Sequence, residues 1–432
     1  ENIWGQLHTA SNGVWGSTLS YENKFKNTKA QGFLNYYTGN GYDLDPNIYG
    51  KTVDPFRDIS GQIKIIQDLS KKDRISVSIR NYNEKVNNNY VINWQGQPSV
   101  VKGPTNENDF STFIQWQHQP REAFKWSFRT FYNRYQNKSL VNLEKTGERF
   151  DETTFDEYII KPEIQIESLN KDNFKYVLGG GMNNEMINSV RYAGQRYLNT
   201  FYLFTQEEFY FDQNKWALIT GGRLDKRNDY NLRLSPRISI AYTLSSRWKF
   251  SASMGSGFKA PDFRHMYLSF FNSQIGYSLI GASALYDQLK KLQQQGQIDT
   301  SINLTNYSQN HNLLPETSTG IYINAKYNIK NWQAELGAFR NDVNNLIDRY
   351  TLPFNKKNGG NIFSYHNISR IFTQGIQVNI STNTFYPLLF SAGYQFLSTG
   401  DKSVIQEIKQ GKVFSRDPNT FETKKLTINE YG

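Results

Sequence analysis

Cysteine and long apolar runs are both missing from this chain of 432 residues. Without cysteine, disulfide scaffolds and thiolate metal sites are excluded. A membrane-spanning helix needs about 20 predominantly apolar residues, and no stretch supplies them. The opening residues, ENIWGQLHTA, lack the basic start and apolar core of a signal peptide. We therefore expect a chain that is mature, trimmed or cytoplasmic.

Catalytic signatures and dense charge blocks are also missing. We find no GxSxG, HExxH or phosphate-loop pattern, so we predict no catalytic residues, no enzyme activity and no required cofactor. The net charge of +10 comes from 49 basic and 39 acidic residues spread over the whole chain. Such a spread favours a solvated surface over a phosphate-binding one, and no nucleic-acid partner is expected.

Aromatic residues and period-two alternation are abundant. Aromatics make up 15% of the chain, with 28 Tyr and 29 Phe. In residues 319–329, Ile321, Ile323 and Tyr327 alternate with polar neighbours, and residues 375–381 repeat the pattern. This alternation predicts strands with one apolar and one polar face.

About seventeen such strands are predicted along the chain. They lie near residues 3–9, 13–26, 29–38, 59–69, 73–86, 109–119, 123–136, 155–168, 173–186, 198–212, 214–226, 237–242, 248–255, 319–329, 332–348, 375–381 and 386–397. Most exceed the roughly ten residues that a tilted strand needs to cross a bilayer. The low mean hydropathy of -0.67 does not argue against a membrane, because alternating strands average to near polar.

Short and long connections take turns between these strands. Short turns include residues 26–29, 70–73 and 119–122, whereas long connections are expected near 39–57, 87–108, 137–154, 187–197 and 350–370. This predicts an all-β, antiparallel up-and-down transmembrane β-barrel with a working face. A soluble propeller should show a repeat of about 40 to 50 residues, which is absent, and a soluble sandwich should have shorter strands.

The longest connection, residues 258–315, is predicted to be a large extracellular loop and a binding surface. It begins with GFKAP at 257–261 and ends with NHNLLPETS at 310–318. These segments resemble the FRAP and NPNLxPE boxes of TonB-dependent outer-membrane receptors. The residues that carry the resemblance are Phe258, Lys259, Ala260, Pro261, Asn312, Leu313, Pro315 and Glu316. Residues 41–56, 338–348 and 365–378 are similar to further segments of that family, in its order.

The resemblance implies a partial receptor barrel over residues 1–432, with about seventeen of roughly 22 expected strands. The family's N-terminal plug domain and TonB box are not in this chain, so we expect a fragment or a partial structure of a larger receptor. The implied function is import of haem or a ferric siderophore across the outer membrane of a Gram-negative bacterium, powered by TonB–ExbB–ExbD. Outer-membrane lipid or lipopolysaccharide would surround the barrel. A passive porin-like channel and a scaffold in an outer-membrane complex remain the alternatives.

Haem receptors of this family carry an iron-ligating histidine between the two boxes, which makes the loop histidines candidate ligands. Ligand contacts are predicted at Lys259, Phe263, Arg264, His265, Tyr267, His311 and His366. Tyr267 could be a second axial donor, and the aromatic and basic groups suit a porphyrin with propionates or an anionic aromatic siderophore. Alternatively, the histidines only pack or hydrogen-bond within the loop.

Two further features stand out in the loops. Leu285, Leu289 and Leu292 have helical spacing within residues 284–298, which predicts a short helix that packs on the loop or docks a ligand-delivering surface lipoprotein. A calcium site is a second hypothesis, because one outer loop gathers several carboxylates, although their spacing is not that of an EF-hand. The candidate ligands are Asp43, Asp45, Asp54 and Asp58.

Overall fold

The computed structural model describes residues 2–45, 47, 49–168, 173–272, 276–307, 313–384, 386–416 and 420–428. The strands are β1 Asn2–Ala10, β2 Val14–Phe25, β3 Thr28–Gly39, β4 Phe56–Asp68, β5 Asp73–Trp94, β6 Gln97–Arg121, β7 Phe124–Leu143, β8 Arg149–Ser168, β9 Phe174–Ser189, β10 Gly194–Phe211, β11 Trp216–Arg227, β12 Tyr230–Thr243, β13 Trp248–Lys259, β14 Ser269–Phe271, β15 Ser278–Ile280, β16 Glu316–Ile329, β17 Trp332–Thr351, β18 Ile362–Thr382, β19 Phe390–Asp401, β20 Phe414–Arg416 and β21 Thr423–Lys425. The α-helices are α1 Phe263–Tyr267, α2 Leu285–Gln294 and α3 Lys402–Lys409, and single 3-10 turns cover Val190–Tyr192, Ala282–Ala284 and Leu304–Tyr307. In this part of the chain, no helix is long and apolar enough to cross a bilayer.

The long strands form one antiparallel meander. Each pairs with the next in the chain, and β13 pairs directly with β16 across the long loop. Within the described residues, β1 pairs only with β2 and β19 only with β18. The seventeen long strands and their up-and-down order agree with the prediction from the sequence.

The outer face of this sheet is apolar and exposed. On β12 and β13, Ile238 pairs with Met254 and Ile240 with Ala252, and Ile238 and Met254 are each about half exposed. Apolar side chains in this position belong in lipid, because the alternation places the polar residues on the lumen side. Aromatic pairs occupy the end with the short turns, such as Trp216 stacked on Tyr242 at 4.2 Å between ring centroids. Such rings are typical of the aromatic girdle at the membrane–water interface of a barrel.

Several predicted loops are instead continuations of the strands. Residues 87–108 form a hairpin in which β5 and β6 pair as far as Trp94 and Gln97. Similarly, most of residues 137–154 belong to β7 and β8, and β9 and β10 are joined by a single 3-10 turn within 187–197. The loop assignments there were wrong because both faces of these extensions lie outside lipid, so the lipid-facing alternation stops at Asn87, Asn88 and Asn89 although the strand continues. The β5–β7 extensions bury a small cluster of their own, formed by Ile92, Val101, Val141 and Leu143.

The glycines in the middle of β9 permit a close contact across the lumen wall. Tyr202 on β10 reaches past Gly181 so that its hydroxyl donates to Glu163 on β8 at 2.7 Å. Arg129 also donates to Glu163, from Nε at 2.8 Å, and the guanidinium of Arg223 lies 3.8 Å from the centre of the Tyr202 ring. The small residue at 181 thus serves close packing.

We expect Gly181→Ala to destabilise the barrel by about 1–3 kcal/mol, because overpacking a tight site forces its neighbours to move. A Cβ at this position would lie 2.5 Å from the carbonyl oxygen of Pro162 and 2.7 Å from the Tyr202 hydroxyl. The measurement is the midpoint of urea unfolding in detergent. Gly222→Ala is the matched control, because its Cβ would meet only Leu234 at 3.8 Å. Equal midpoints for the two variants would contradict this account of the contact.

Candidate functional site

The long loop starts at the end of β13 and ends at the beginning of β16, and these two strand ends lie side by side in the barrel wall. Lys259 is directly opposite Glu316, with Nζ and Oε1 3.5 Å apart. Glu316 also accepts a hydrogen bond from the main chain of Ile347 at 3.1 Å. On the other side, buried Arg227 donates to the carbonyl oxygen of Pro261 at 2.7 Å. The base of the loop is therefore fixed by charged groups, two of which, Lys259 and Glu316, belong to the two sequence boxes.

Helix α1 begins directly after this base and is held by a capping box. The carboxylate of Asp262 accepts from the main chain of His265 at 2.8 Å, and the imidazole Nδ1 of His265 lies 3.3 Å from the main-chain nitrogen of Asp262. Burial acts to raise the pKa of Asp262, but hydrogen bonds from His265 and nearby positive charge outweigh it and lower the pKa to about 2. Asp262 is thus a carboxylate at neutral pH, which suits an acceptor at a helix start.

Helix α1 folds inward across the mouth of the barrel. Phe263 packs in a buried cluster with Ile187 and Leu198, whose register places them on the lumen side of β9 and β10. On its other side, the ring of His265 meets Tyr365 edge-on at 4.9 Å between centroids. One short helix therefore bridges β9–β10 and the extracellular end of β18.

Helix α2 belongs to a second cluster in the same loop. Leu285 and Leu289 are fully buried with Ile280, Ile298 and Ile362. The helix was predicted from the leucine spacing and ends at Gln294, just before Gly296. The prediction that this helix packs on the loop is confirmed for its apolar side. On its polar side, Asp287, Lys290 and Lys291 are exposed.

The predicted ligand residues divide into buried and accessible ones. His265 and Phe263 are only 3% and 6% exposed. Tyr267 is half-buried, with the guanidinium of Arg196 4.7 Å from its ring centre. Arg264 is exposed, and the Lys259 side chain is 61% exposed despite its contact with Glu316.

The other two candidate histidines differ from His265. His366 lies on the extracellular extension of β18, edge-on to Tyr350 at 4.3 Å, and burial lowers its pKa. Its Nδ1 is buried and has no hydrogen-bond partner in the described part of the protein. His311, together with Asn312 of the second box, lies outside the described residues.

The four aspartates proposed for calcium are not brought together. Asp43 and Asp45 accept hydrogen bonds within their own loop, from the main chain of Asp45 at 3.0 Å and of Asn47 at 3.1 Å. Burial raises the pKa of Asp54, and Asp58 lies in β4. Among the described residues, no three acidic, histidine or cysteine side chains converge on a point where a metal ion could sit. The arrangement therefore gives the calcium hypothesis no support.

Two important anchors of the loop were missed from the sequence. Asn367 donates to the carbonyl oxygens of Leu314 and Asn345 and accepts from the main chain of Leu314, all at 2.7–2.9 Å. Arg227 holds the other end, as described above. Neither residue could be recognised in the sequence, because a single Asn or Arg at the polar end of a strand is not part of any distinctive motif. The positive φ of 56° at Asn345 marks the irregularity that Asn367 bridges.

Comparison with known proteins identifies the family. The model of the family described as "TonB dependent receptor-like, beta-barrel" matches residues 5–427. The chain belongs to this family of receptor barrels. Its members are outer-membrane receptors and transporters rather than enzymes, so the receptor lies in the outer membrane of a Gram-negative bacterium.

Individual relatives are more distant. The receptor is 25% identical over 205 residues to the iron-regulated outer membrane virulence protein of Vibrio cholerae, an alignment that covers 45% of this chain and 27% of that protein. It is 25% identical over 223 residues to the ferric enterobactin receptor PirA of Pseudomonas aeruginosa, covering 50% and 28% of the two chains. The matched part thus spans little more than a quarter of these relatives.

Solved structures share the fold. The siderophore receptor PirA from Pseudomonas aeruginosa superposes with a TM-score of 0.67 at 15% identity, over 92% of this chain and 65% of that one. The copper transporter OprC superposes with a TM-score of 0.64 at 12% identity, over 93% and 62%. Since proteins named for different cargoes superpose about equally well, the fold alone does not select the ligand.

We expect Asn367→Ala to loosen the loop. The substitution removes two hydrogen bonds that tie Leu314 to the barrel and a third to the carbonyl oxygen of Asn345, and so lowers the free energy of local opening by about 1–3 kcal/mol. The measurement is the rate of proteolysis between residues 268 and 312 in the folded receptor. Asn379→Ala, on the same strand but far from the loop, is the control. Cleavage rates that match in both variants would show that Asn367 does not anchor the loop.

Proposed function

We propose that this receptor binds an iron complex at its extracellular mouth and imports it in a TonB-dependent way. The observation that carries the proposal is the family match over nearly the whole chain, together with relatives named for iron regulation and ferric enterobactin. In a receptor of this kind, TonB–ExbB–ExbD acts through a plug domain, which would complete the lumen. The barrel described here supplies the wall and the outer loops.

The geometry of the mouth favours an anionic complex. Two cations remain accessible at the base of the inward-folded loop, Lys259 and Arg264. Nearby, Arg191 lies 5.1 Å from the ring centre of Phe270, and Arg196 faces Tyr267. Guanidinium and ammonium groups beside aromatic rings suit a ligand that is negatively charged and aromatic.

A ferric siderophore fits these groups better than haem does. Iron ligation by His265 would require its imidazole to leave the capping box and its contact with Tyr365. Haem is the second candidate, supported by the unpartnered Nδ1 of His366 and by the presence of His311 in the same loop as His265. The exposed side of α2 is the surface that we propose for a lipoprotein that delivers the ligand, and outer-membrane lipid or lipopolysaccharide surrounds the barrel.

We expect Lys259→Gln and Arg264→Gln each to weaken binding of an anionic ferric siderophore by about tenfold, because each removes a charge-assisted contact worth about 1.5 kcal/mol. Titration of the purified receptor with ferric enterobactin measures this. Lys290→Gln on α2 is the control, since it removes an exposed charge from the same loop. If both variants bind ferric enterobactin as tightly as the unmodified receptor, Lys259 and Arg264 do not belong to the binding site.

Dependence on TonB is tested in cells. We expect uptake of radioactive iron from the siderophore to disappear when TonB is deleted. Equal uptake with and without TonB would contradict active transport and would show that the protein acts as a passive channel.

Haem binding has a spectroscopic test. If a loop histidine ligates the iron, micromolar haemin will give a Soret shift that His265→Ala or His311→Ala weakens. Asp262→Ala disrupts the capping box but keeps the imidazole, so it separates ligation from folding of α1. The absence of any Soret shift in the unmodified receptor would exclude haem as the ligand.

A further inference from the structure

The lumen side of β9–β13 holds a basic pocket at the end of the barrel with the short turns. Its cavity has a volume of about 360 Å³, and it is lined by Lys175, Lys215 and Lys249 beside the ring of Tyr210. Lys249 lies near the start of β13, whose other end, Lys259, begins the long loop. The pocket is therefore at the opposite end of the lumen from the mouth, which is the periplasmic end in outer-membrane barrels.

Alternation along the strands places this basic pocket on the lumen side. Trp216 and Tyr242 pair on the lipid-facing side, so their neighbours Ala217 and Ala241, which pair with each other, face inwards. Tyr210 is directly opposite Ala217 and faces inwards as well. Because the two alanines have short side chains, they leave a hollow in the wall beside the tyrosine ring. A hollow of this size accepts one aromatic or carboxylate arm of a ligand.

Two lysines at the edge of the pocket face each other. Lys249 lies between Trp248 and Phe250, whose rings stack on the outer face at 5.6 Å between centroids, so its own side chain points inwards. It is directly opposite Lys326 on β16, and like charges at facing positions of a sheet repel each other. Lys326 is also opposite Glu335, but neither lysine forms an ion pair within the described residues. An anion bound beside the two lysines would offset their repulsion.

Lys175 is the third cation of the pocket without an acidic partner. Its Nζ lies 5.3 Å from the centre of the Tyr210 ring. Glu208 is opposite Lys175 on β10, but its carboxylate accepts from the Tyr210 hydroxyl at 2.8 Å and makes no ion pair with the lysine in the described part of the chain. Lys215 differs, because its Nζ lies 3.4 Å from Oδ2 of Asp212.

One arc of the wall connects the pocket to the mouth. Lys249 and Lys259 are ten residues apart on β13, and this even spacing places both on the lumen side. Arg237 on β12, opposite a residue of β13 between them, faces the lumen as well. By contrast, the lumen side of β4–β6 carries three carboxylates at facing positions, Asp58, Glu84 and Glu107. Inward cations thus run along β12 and β13 from one end of the lumen to the other.

We infer that the basic pocket binds an anionic, aromatic arm of the iron complex on its way to the periplasm, at a subsite separate from the mouth. Ammonium groups pair with anionic oxygens, and the Tyr210 ring offers a face for an aromatic ring. The mouth presents the same combination, with Arg191 beside Phe270 and Arg196 beside Tyr267. The inference rests on the proposed function, from which it takes the class of ligand.

The test is photolabelling of the complete receptor, purified in detergent micelles so that both ends of the lumen meet solvent. The probe is an aryl-azide derivative of ferric enterobactin, and mass spectrometry maps the labelled positions. We expect label at the mouth near Phe270 and a second, weaker label near Tyr210. Lys175→Gln, Lys249→Gln and Lys326→Gln should each lower the second label about tenfold, since each removes a charge-assisted contact, and should leave the label at the mouth unchanged.

Lys125→Gln is the matched control. Lys125 lies at the same end of the barrel, near the start of β7, but it already pairs with Glu167 on β8. Label confined to the mouth would overturn the inference, and so would a second label that the triple lysine variant keeps. Absence of label at both places would overturn the proposed siderophore binding as well, so the two failures are distinguishable.

Uptake in cells tests the role of the pocket in transport. We expect the triple variant to lower the maximal rate of iron uptake from ferric enterobactin about tenfold, because a cationic site raises the local concentration of an anion. The siderophore concentration at half-maximal uptake should stay unchanged, since the mouth is intact. A maximal rate equal to that of the Lys125→Gln receptor would show that the pocket is not on the path of the complex.

Discussion

Within lipid, every main-chain N–H and C=O group needs a partner from the protein, because no water is present to replace it. This requirement explains why the chain is built from long strands that each pair with the next, without a helix between them in the wall. It also explains why insertions occur only at the strand ends, where water is available. The β13–β16 pair closes the sheet beneath the longest insertion, so the loop can carry its own helices without interrupting the wall. The site therefore depends on a ladder of hydrogen bonds that takes no part in binding.

The same constraint decides how much of the fold could be predicted. Where one face meets lipid and the other meets water, alternation is strict, and strands such as β13 and β16 are clear in the sequence. Above the membrane both faces are wet, so Asn87, Asn88 and Asn89 continue β5 without any apolar signal. Those extensions were taken for loops. Their pairing is set by the strands below and by tight turns such as Gln95-Gly96, whose two residues both have positive φ.

The candidate site was only partly predictable. Its position followed from the length of the loop and the two boxes, and Glu316 does hold the base of the loop. Whether each side chain of the loop is buried or exposed could not be predicted, because burial depends on tertiary contacts between residues that are distant in sequence. His265 is an example: its neighbours in sequence suggest an exposed loop, yet Tyr365, a hundred residues later, covers it. Arg227 and Asn367 escaped notice for the same reason, since their partners are distant in sequence.

The lumen wall is not electrically uniform around its circumference. The carboxylates of Asp58, Glu84 and Glu107 line β4–β6, whereas Arg237 and Lys259 face the lumen from β12 and β13. An anionic cargo inside such a cylinder experiences a sideways field as well as an axial one, and is pushed away from the first arc of the wall and towards the second. At the level of these side chains, the proposed anionic cargo would be drawn towards the second arc, which also carries the long loop.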